Sequence, residues 1–500
     1  MIALNNIRKS VLNWISNDSG NLLGDDSAIN TGLLKEYIKI RVNGPHDTFC
    51  NAPHKNIFFS PDGRAVACCY NRKHILGVYP YQSIKQIWQG EKKEELRGHL
   101  KDNNLYSGCH YCQSHLKNKN FDAIIAKEYD ALPLNDNYPT KLEFELSNTC
   151  NLECTMCTGD FSSLIRKNRE KEPQLENPYD DEFIRQLEEF IPYLHSTRFF
   201  GGEPFIIDIY YRIWEKIIAI NPKCKIVVQT NATVLNTKVK ELLNKGNFTI
   251  NVSIDSLQKS VFESIRVNAK FDKVMENTRY FHQYCKGKGA HLGISFCPMR
   301  QNWRELPDFI NFCNRLDACV YFNTVWFPEE LSLANWESGI LKEVCKYLSG
   351  FTFPDETPLQ QHNNKHFTDF VTQVNFWYKK ALKRETEKRK RQEEEEQKMK
   401  TLEKKLEKLN TGVLKDIFYD KIRLHIDCDE NLSESEKRRK LKRYILKADN
   451  VFGRFAETMP LKKAINKLNE ESSFETVVNI LETESEEEIY DRVMVLYNES

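Results

Sequence analysis

KLEFELSNTCNLECTMCTGD, residues 141–160, is the stretch on which the reading of the whole chain turns. Leu142, Phe144 and Leu146 recur at period two, which predicts a β-strand over 142–149 that delivers Cys150, Cys154 and Cys157 at its carboxyl end and on the loop leaving it. Three thiols at spacings of four and three cannot pair as disulfides without leaving one over. They can wrap one iron–sulfur cube, each binding its own iron, with the fourth iron left open to a substrate-like molecule. A zinc site short of one ligand, or three inert buried thiols, are the plainer alternatives.

Downstream, apolar runs alternate with helical patterns. Strands are predicted at 197–200, 225–229, 248–254, 291–297 and 319–326, and helices at 181–191, 206–219, 236–244, 258–264, 271–284 and 305–316. That rhythm reads as a parallel sheet with crossover helices. Polar or glycine-rich motifs fall at the strand ends: Phe200-Gly201-Gly202-Glu203-Pro204, Gln229-Thr230-Asn231-Ala232 and Val252-Ser253-Ile254-Asp255-Ser256, with Arg266 on the following helix.

The C-x3-C-x2-C spacing, Met156 just before the last cysteine, and these motifs in this order resemble radical S-adenosylmethionine (radical SAM) enzymes over roughly residues 140–330. The resemblance implies an α/β fold, an open, partial (β/α)6 barrel with its chemistry at the carboxyl ends of the strands. It implies a [4Fe–4S] cluster on Cys150, Cys154 and Cys157 that binds SAM and splits it into methionine and a 5′-deoxyadenosyl radical, which abstracts hydrogen from a substrate. In that picture Met156 packs near adenine, and Gly201 and Gly202 let backbone approach the amino acid part of SAM. Glu203 or neighbouring carbonyls receive its ammonium. Thr230, Asn231, Ser253 and Asp255 meet its ribose and carboxylate, the latter also facing Arg266. The third strand ends Thr-Asn-Ala where the family commonly has Thr-Asn-Gly. Such chemistry also suggests an apolar barrel interior shielded from water.

Upstream, Cys50, Cys68, Cys69, Cys109 and Cys112 form a second constellation. Pro61-Asp62-Gly63 predicts a hairpin turn that brings Cys50 and Cys68 to one end, and Cys109-x2-Cys112 is a tight chelating loop. Four thiolates suit zinc or an iron–sulfur cluster alike. The pattern resembles the SPASM or shorter twitch auxiliary-cluster domain, placed before the barrel where relatives carry it after. The resemblance implies one auxiliary [4Fe–4S] cluster on Cys50, Cys68, Cys109 and Cys112, with Cys69 the rival to Cys68, since adjacent side chains on a strand face opposite ways. This pairing of domains implies a peptide or protein substrate and an external one-electron reductant such as flavodoxin or ferredoxin. Alternatives are a small sugar or nucleotide metabolite, tRNA or another nucleic acid, and a nonenzymatic iron–sulfur or zinc-binding protein. Cys297, at the end of the fifth strand, is a candidate hydrogen-atom donor or an ordinary buried thiol.

Of the 500 residues, 40% are apolar and 29% charged, with a formal net charge of +1, which argues against a surface that is wholly a nucleic-acid footprint. Residues 5–16 predict an amphipathic helix and no export signal, and no run of eighteen apolar residues occurs, so a cytoplasmic protein with no membrane partner is expected. The expected domains are 1–125 (N-terminal helix and auxiliary cluster), 140–330 (radical SAM core), 331–365 (connector), 366–410 (long charged helix) and 411–500 (helical). Residues 113–139 read as a linker.

Overall fold

A computed structural model of the chain describes residues 31–44, 46–406, 411–429, 431–455 and 474–491; the helix expected over 5–16 lies outside them. Nine strands build one sheet: β1 Asn56–Phe59, β2 Arg64–Val66, β3 Ile75–Val78, β4 Lys141–Phe144, β5 Ser196–Phe199, β6 Lys225–Thr230, β7 Phe248–Ser253, β8 Gly293–Phe296 and β9 Cys319–Phe322. All six strands expected of the barrel are present as β4 to β9, each parallel to its neighbour. The helices between them, Asp181–Leu187, Asp208–Ile220, Thr237–Lys245, Phe271–Gly287 and Leu306–Leu316 among them, cover one face. On that face Phe144, Phe199 and Phe248 pack on Phe183 and Trp214, and Phe296 packs on Phe309.

The cysteine-rich segment joins the same sheet. The Ser60–Gly63 turn closes β1 on β2 in antiparallel register, with Gly63 at φ 84° in the left-handed region that glycine tolerates. β1 then pairs in parallel with β4, Asn56 opposite Lys141 and Phe59 opposite Phe144. At the other edge, Asn363 from the helix Pro358–Leu406 accepts from Val320 N at 2.8 Å and donates to Ala318 O at 3.0 Å, so β9 does not end in a bare ladder.

The stretch read as a linker over 113–139 is largely built in. Helix His110–Lys117 enters it, and Arg41 clamps Asp130 through two bonds of 2.8 and 2.6 Å while Lys55 Nζ donates to the carbonyls of Tyr129, Asp130 and Leu132. These partners lie many residues away, so local pattern does not reveal them. The connector over 331–365 holds the helix Ser338–Leu348, where a short helix near 329–347 is expected from the sequence.

The chain forms two compact units, Met1–Ala381 and Leu382–Ser500. The second holds helices Thr411–Asp427, Glu434–Phe455 and Phe474–Thr483, with Phe418, Ile422, Tyr444, Val451 and Leu481 buried. No helix among the described residues is long and apolar enough to cross a membrane.

Candidate active site

Beyond β4 the chain loops through the three cysteines and is stitched closed at its base. Asn148 Nδ2 donates to Gly159 O at 2.8 Å, and Ser163 N donates to Asn148 O at 2.7 Å. Cys150 N donates to Ser163 Oγ, Arg169 donates to Cys157 O, and Thr155 N donates to Ile265 O. Ser163, Arg169 and Ile265 thus fix the backbone of a loop whose thiols stay free. Burial pushes Cys157 up to about 12, with Cys154 and Cys150 adding to the shift, and pushes Cys150 up to about 11. Cys157 N donates to Cys154 O at 3.1 Å, a tight turn between the last two of the three.

The glycines press against this loop. A Cβ on Gly201 would sit 2.6 Å from Ser147 O, and one on Gly202 would sit 2.0 Å from Thr149 O; their φ values are 81° and 48°. Glu203 N donates to Thr149 O at 2.8 Å, so the segment grips the residue just before Cys150. The Glu203 carboxylate is wholly buried and its oxygens accept from Thr230 Oγ1, Asn231 N and Phe205 N at 2.7, 2.7 and 3.1 Å. Burial raises its pKa to about 6 against the pull of those donors. Glu203 is therefore a brace between the glycine turn and β6.

Asn231 is also engaged: Nδ2 donates to Asn151 Oδ1 at 3.0 Å, while Oδ1 accepts from Thr233 N and Oγ1. Sequence reasoning missed Asn151 and Thr233, whose roles depend on contacts about eighty residues apart. Ala232 has φ 56°, the left-handed conformation for which glycine is the usual residue, and is held there by Asn277 Nδ2 donating to its carbonyl at 2.8 Å. Ser253 Oγ accepts from Gln229 Nε2.

Asp255 and Arg266 meet each other. Arg266 Nη2 lies 2.7 Å from Asp255 Oδ2, while Asp255 Oδ1 accepts from Cys297 N at 2.7 Å. Burial works against the Arg266 charge, but Asp255, Cys154 and Cys297 outweigh it and raise its pKa. Met156 and Cys297 pack on the same small apolar cluster, formed by Ile265, Met299 and Val325. Asn302, unread in the sequence, ties Asp255 O and Cys297 O together with bonds of 2.7 and 3.0 Å.

Among the second set, burial pushes Cys112 well up, with Cys109, Cys50 and Cys68 pushing further, and Cys50 is raised by burial and then by Cys68. Cys68 and Cys69 are both raised by burial and by Glu143, but Cys50, Cys109 and Cys112 each feel Cys68 and not Cys69. Among the described residues no three His, Cys, Asp or Glu side chains are gathered so as to hold a metal ion as they stand. A cube asks less convergence of its ligands than a single ion does, because each thiolate takes a different iron. The donor chemistry fits: thiols without disulfides, and buried Thr155 Oγ1, Thr158 Oγ1 and Arg266 Nε with no protein partner around the first loop.

The sheet face turned away from the helices is polar, which corrects the expectation of an apolar interior. Strand register aligns Glu143 with Arg198 and Val227, and Gln229 with Asn251. Arg72 joins Glu145 by bonds of 3.4 and 3.1 Å and donates to Cys69 O at 2.7 Å. Gln229 bonds both Ser253 and Ser295. The period-two pattern showed the apolar side of each strand, and its complement, Lys141, Glu143 and Glu145 on β4 and its extension, lines the interior.

Residues 144–313 match the radical SAM superfamily and residues 50–113 match the iron–sulfur cluster-binding SPASM domain. The chain thus carries a radical SAM domain, preceded by an auxiliary iron–sulfur domain of the SPASM kind. Both matches are consistent with iron–sulfur clusters and with SAM as cofactor. GTP 3′,8-cyclase of Clostridium botulinum is 25% identical over 189 residues, 36% of this chain and 54% of the relative. That of Clostridium perfringens is 29% identical over 184 residues, with the same coverage, 36% and 54%. The chain spans about half the length of these curated relatives. Streptococcus suis SuiB bound to precursor peptide SuiA superposes with a TM-score of 0.33 at 14% identity over 52% of this chain and 58% of that one, too slight a likeness to carry argument.

Proposed function

We propose that this chain is a radical SAM enzyme that abstracts hydrogen from a peptide or protein. The observation that carries the reading is the loop of three free thiols, Cys150, Cys154 and Cys157, gripped by Gly201-Gly202 at the strand ends beside Arg266. When bound there, a [4Fe–4S] cluster supplies the electron that splits SAM into methionine and a 5′-deoxyadenosyl radical. The residues of the chain position the cofactor. Carbonyls of the glycine turn receive the SAM ammonium, with Glu203 holding that turn to Thr230 and Asn231; Arg266 faces the SAM carboxylate, braced by Asp255. Ser253 lies toward the ribose and Met156 toward adenine. Cys50, Cys68, Cys109 and Cys112 hold one auxiliary [4Fe–4S] cluster, with Cys69 outside it. An external one-electron reductant such as flavodoxin or ferredoxin and a cytoplasmic setting follow from the same reading, and the domain limits are those set out from the sequence except that the long helix begins at Pro358.

Anaerobically reconstituted protein is expected to hold about eight irons per chain, two cubes' worth, and to form 5′-deoxyadenosine from SAM and reductant. Alanine at all three of Cys150, Cys154 and Cys157 removes about half the iron and all of the nucleoside. Nucleoside formation by that variant would refute the assignment. A second reading, a nucleotide substrate, is favoured by the sequence match to GTP 3′,8-cyclases and is tested by incubation with GTP.

Cys297 stands beside Arg266 and Met156, where a thiol could return a hydrogen atom to a substrate radical. Cys297→Ala is then expected to abolish deuterium uptake from heavy water into product while 5′-deoxyadenosine still forms. Unchanged labelling would remove Cys297 from the chemistry.

A further inference from the structure

Arg198 and Glu128 form a pair on the interior side of the sheet that no part of the cofactor site uses. Arg198 sits on β5 in register with Glu143, and its Nη1 lies 3.4 Å from Glu128 Oε2 and 3.7 Å from Glu143 Oε1. A guanidinium carries five donors, yet among the described residues the one bond it makes is the long contact to Glu128. Its side chain is 31% exposed and that of Glu128 46%. Attraction from two carboxylates holds the fork in place while most of its bonding capacity is unspent.

The charges around it narrow what it can bind. A phosphate or carboxylate approaching Arg198 meets Glu128 and Glu143 at the same distance, and a cation meets Arg198 itself. A neutral group that both donates and accepts along one planar edge suffers neither repulsion.

We propose that Arg198 and Glu128 recognise an amide of the substrate, the guanidinium donating to its carbonyl oxygen and the carboxylate accepting from its N–H. This rests on the proposed enzymatic reading and deepens it: a peptide supplies such an edge in its main chain or in Asn and Gln side chains. A purine lactam supplies the same edge from a different source.

The test uses the full chain, cluster-reconstituted and loaded with SAM, and ligand-observed saturation-transfer NMR with three probes: N-acetyl-Ala-Gln-Ala-amide, guanosine and GTP. Saturation transfer to the peptide is expected, falling by about fivefold in Glu128→Gln, whose neutral amide oxygen accepts a weaker hydrogen bond than the charged carboxylate does. The same substitution removes one of the two carboxylates that repel anions, so GTP binding is expected to rise in it. Arg198→Ala should abolish transfer to the peptide; because Arg198 also faces buried Glu143, the half-exposed Glu128→Gln, which leaves the core untouched, decides if that variant fails to fold. Guanosine binding with the same Glu128 dependence would uphold the amide edge and overturn the peptide. Preference of the unaltered protein for GTP, no transfer to any probe, or transfer indifferent to Glu128 would overturn the inference. None of these outcomes touches 5′-deoxyadenosine formation, so failure here is distinguishable from failure of the radical SAM reading.

Discussion

Gly202→Ala is expected to empty the first cysteine loop of iron and to cut 5′-deoxyadenosine formation by roughly a hundredfold or more, the scale of a misplacement near one ångström in a reacting site. The added Cβ would lie 2.0 Å from Thr149 O, 2.6 Å from Thr149 C and 2.9 Å from Asn148 C, all backbone atoms that cannot swing aside as a side-chain tip can. The φ of 48° adds strain for any residue with a Cβ. Relief requires the turn to back away from Thr149, which breaks the Glu203 N bond to Thr149 O and loosens the peptide that leads into Cys150. The auxiliary cysteines lie on other segments, before β1, after β2 and at the helix His110–Lys117, so iron should fall from about eight to about four per chain while the protein remains folded. Iron assay and nucleoside chromatography on one preparation read both effects. Full iron and full yield would show that the loop does not depend on this contact.

Glu143→Ala should destabilise the first compact unit by about 3–5 kcal/mol, the usual cost of removing one partner from a buried charge network. Glu143 is fully buried; Lys141 Nζ lies 2.9 Å away, Asn56 Nδ2 donates to it at 2.8 Å and Tyr129 OH at 3.1 Å. Burial raises its pKa, but Lys141 and Arg198 with these hydrogen bonds bring the balance below the ordinary carboxylate value. A depressed folded-state pKa stabilises above the unfolded value, about 4.3 for glutamate, and that contribution is lost as pH falls below it toward the folded pKa. Denaturant midpoints measured between pH 6 and pH 3 should therefore fall with acid in the unaltered protein, and fall less in Glu143→Gln, which cannot titrate. Equal acid sensitivity in both would show that other carboxylates carry the effect.

The barrel was readable because its strands carry dense local signal: apolar residues at period two, each run closed by a glycine or polar motif. The cysteine spacing was readable for the same reason, being contained in eight residues. What escaped notice depends on distant partners. Nothing near residue 56 states that β1 will lie against Lys141–Phe144, and nothing in 113–139 announces that Arg41 and Lys55 will hold it down. Glu203 is subtler: its place beside the glycines marked it, or neighbouring carbonyls, for the SAM ammonium, and only the fold shows that β6 brings Thr230 and Asn231 to bond its oxygens. Glu143 and Glu145 were in plain view within KLEFEL, yet an alternating strand with charge on its second face looks the same whether that face meets solvent or an enclosed chamber.

The parallel seam between β1 and β4 bears on how the molecule can be handled and how it can have been assembled. Cutting the chain just ahead of residue 140, to isolate the half with the three-cysteine loop, would strip hydrogen-bonding partners from β4 and leave a raw, sticky margin. Such a fragment is expected to precipitate or to pair with its own kind. The sulfur-rich leading segment is thus a wall of the chamber as well as the proposed seat of a cluster, and excising it would open the vessel.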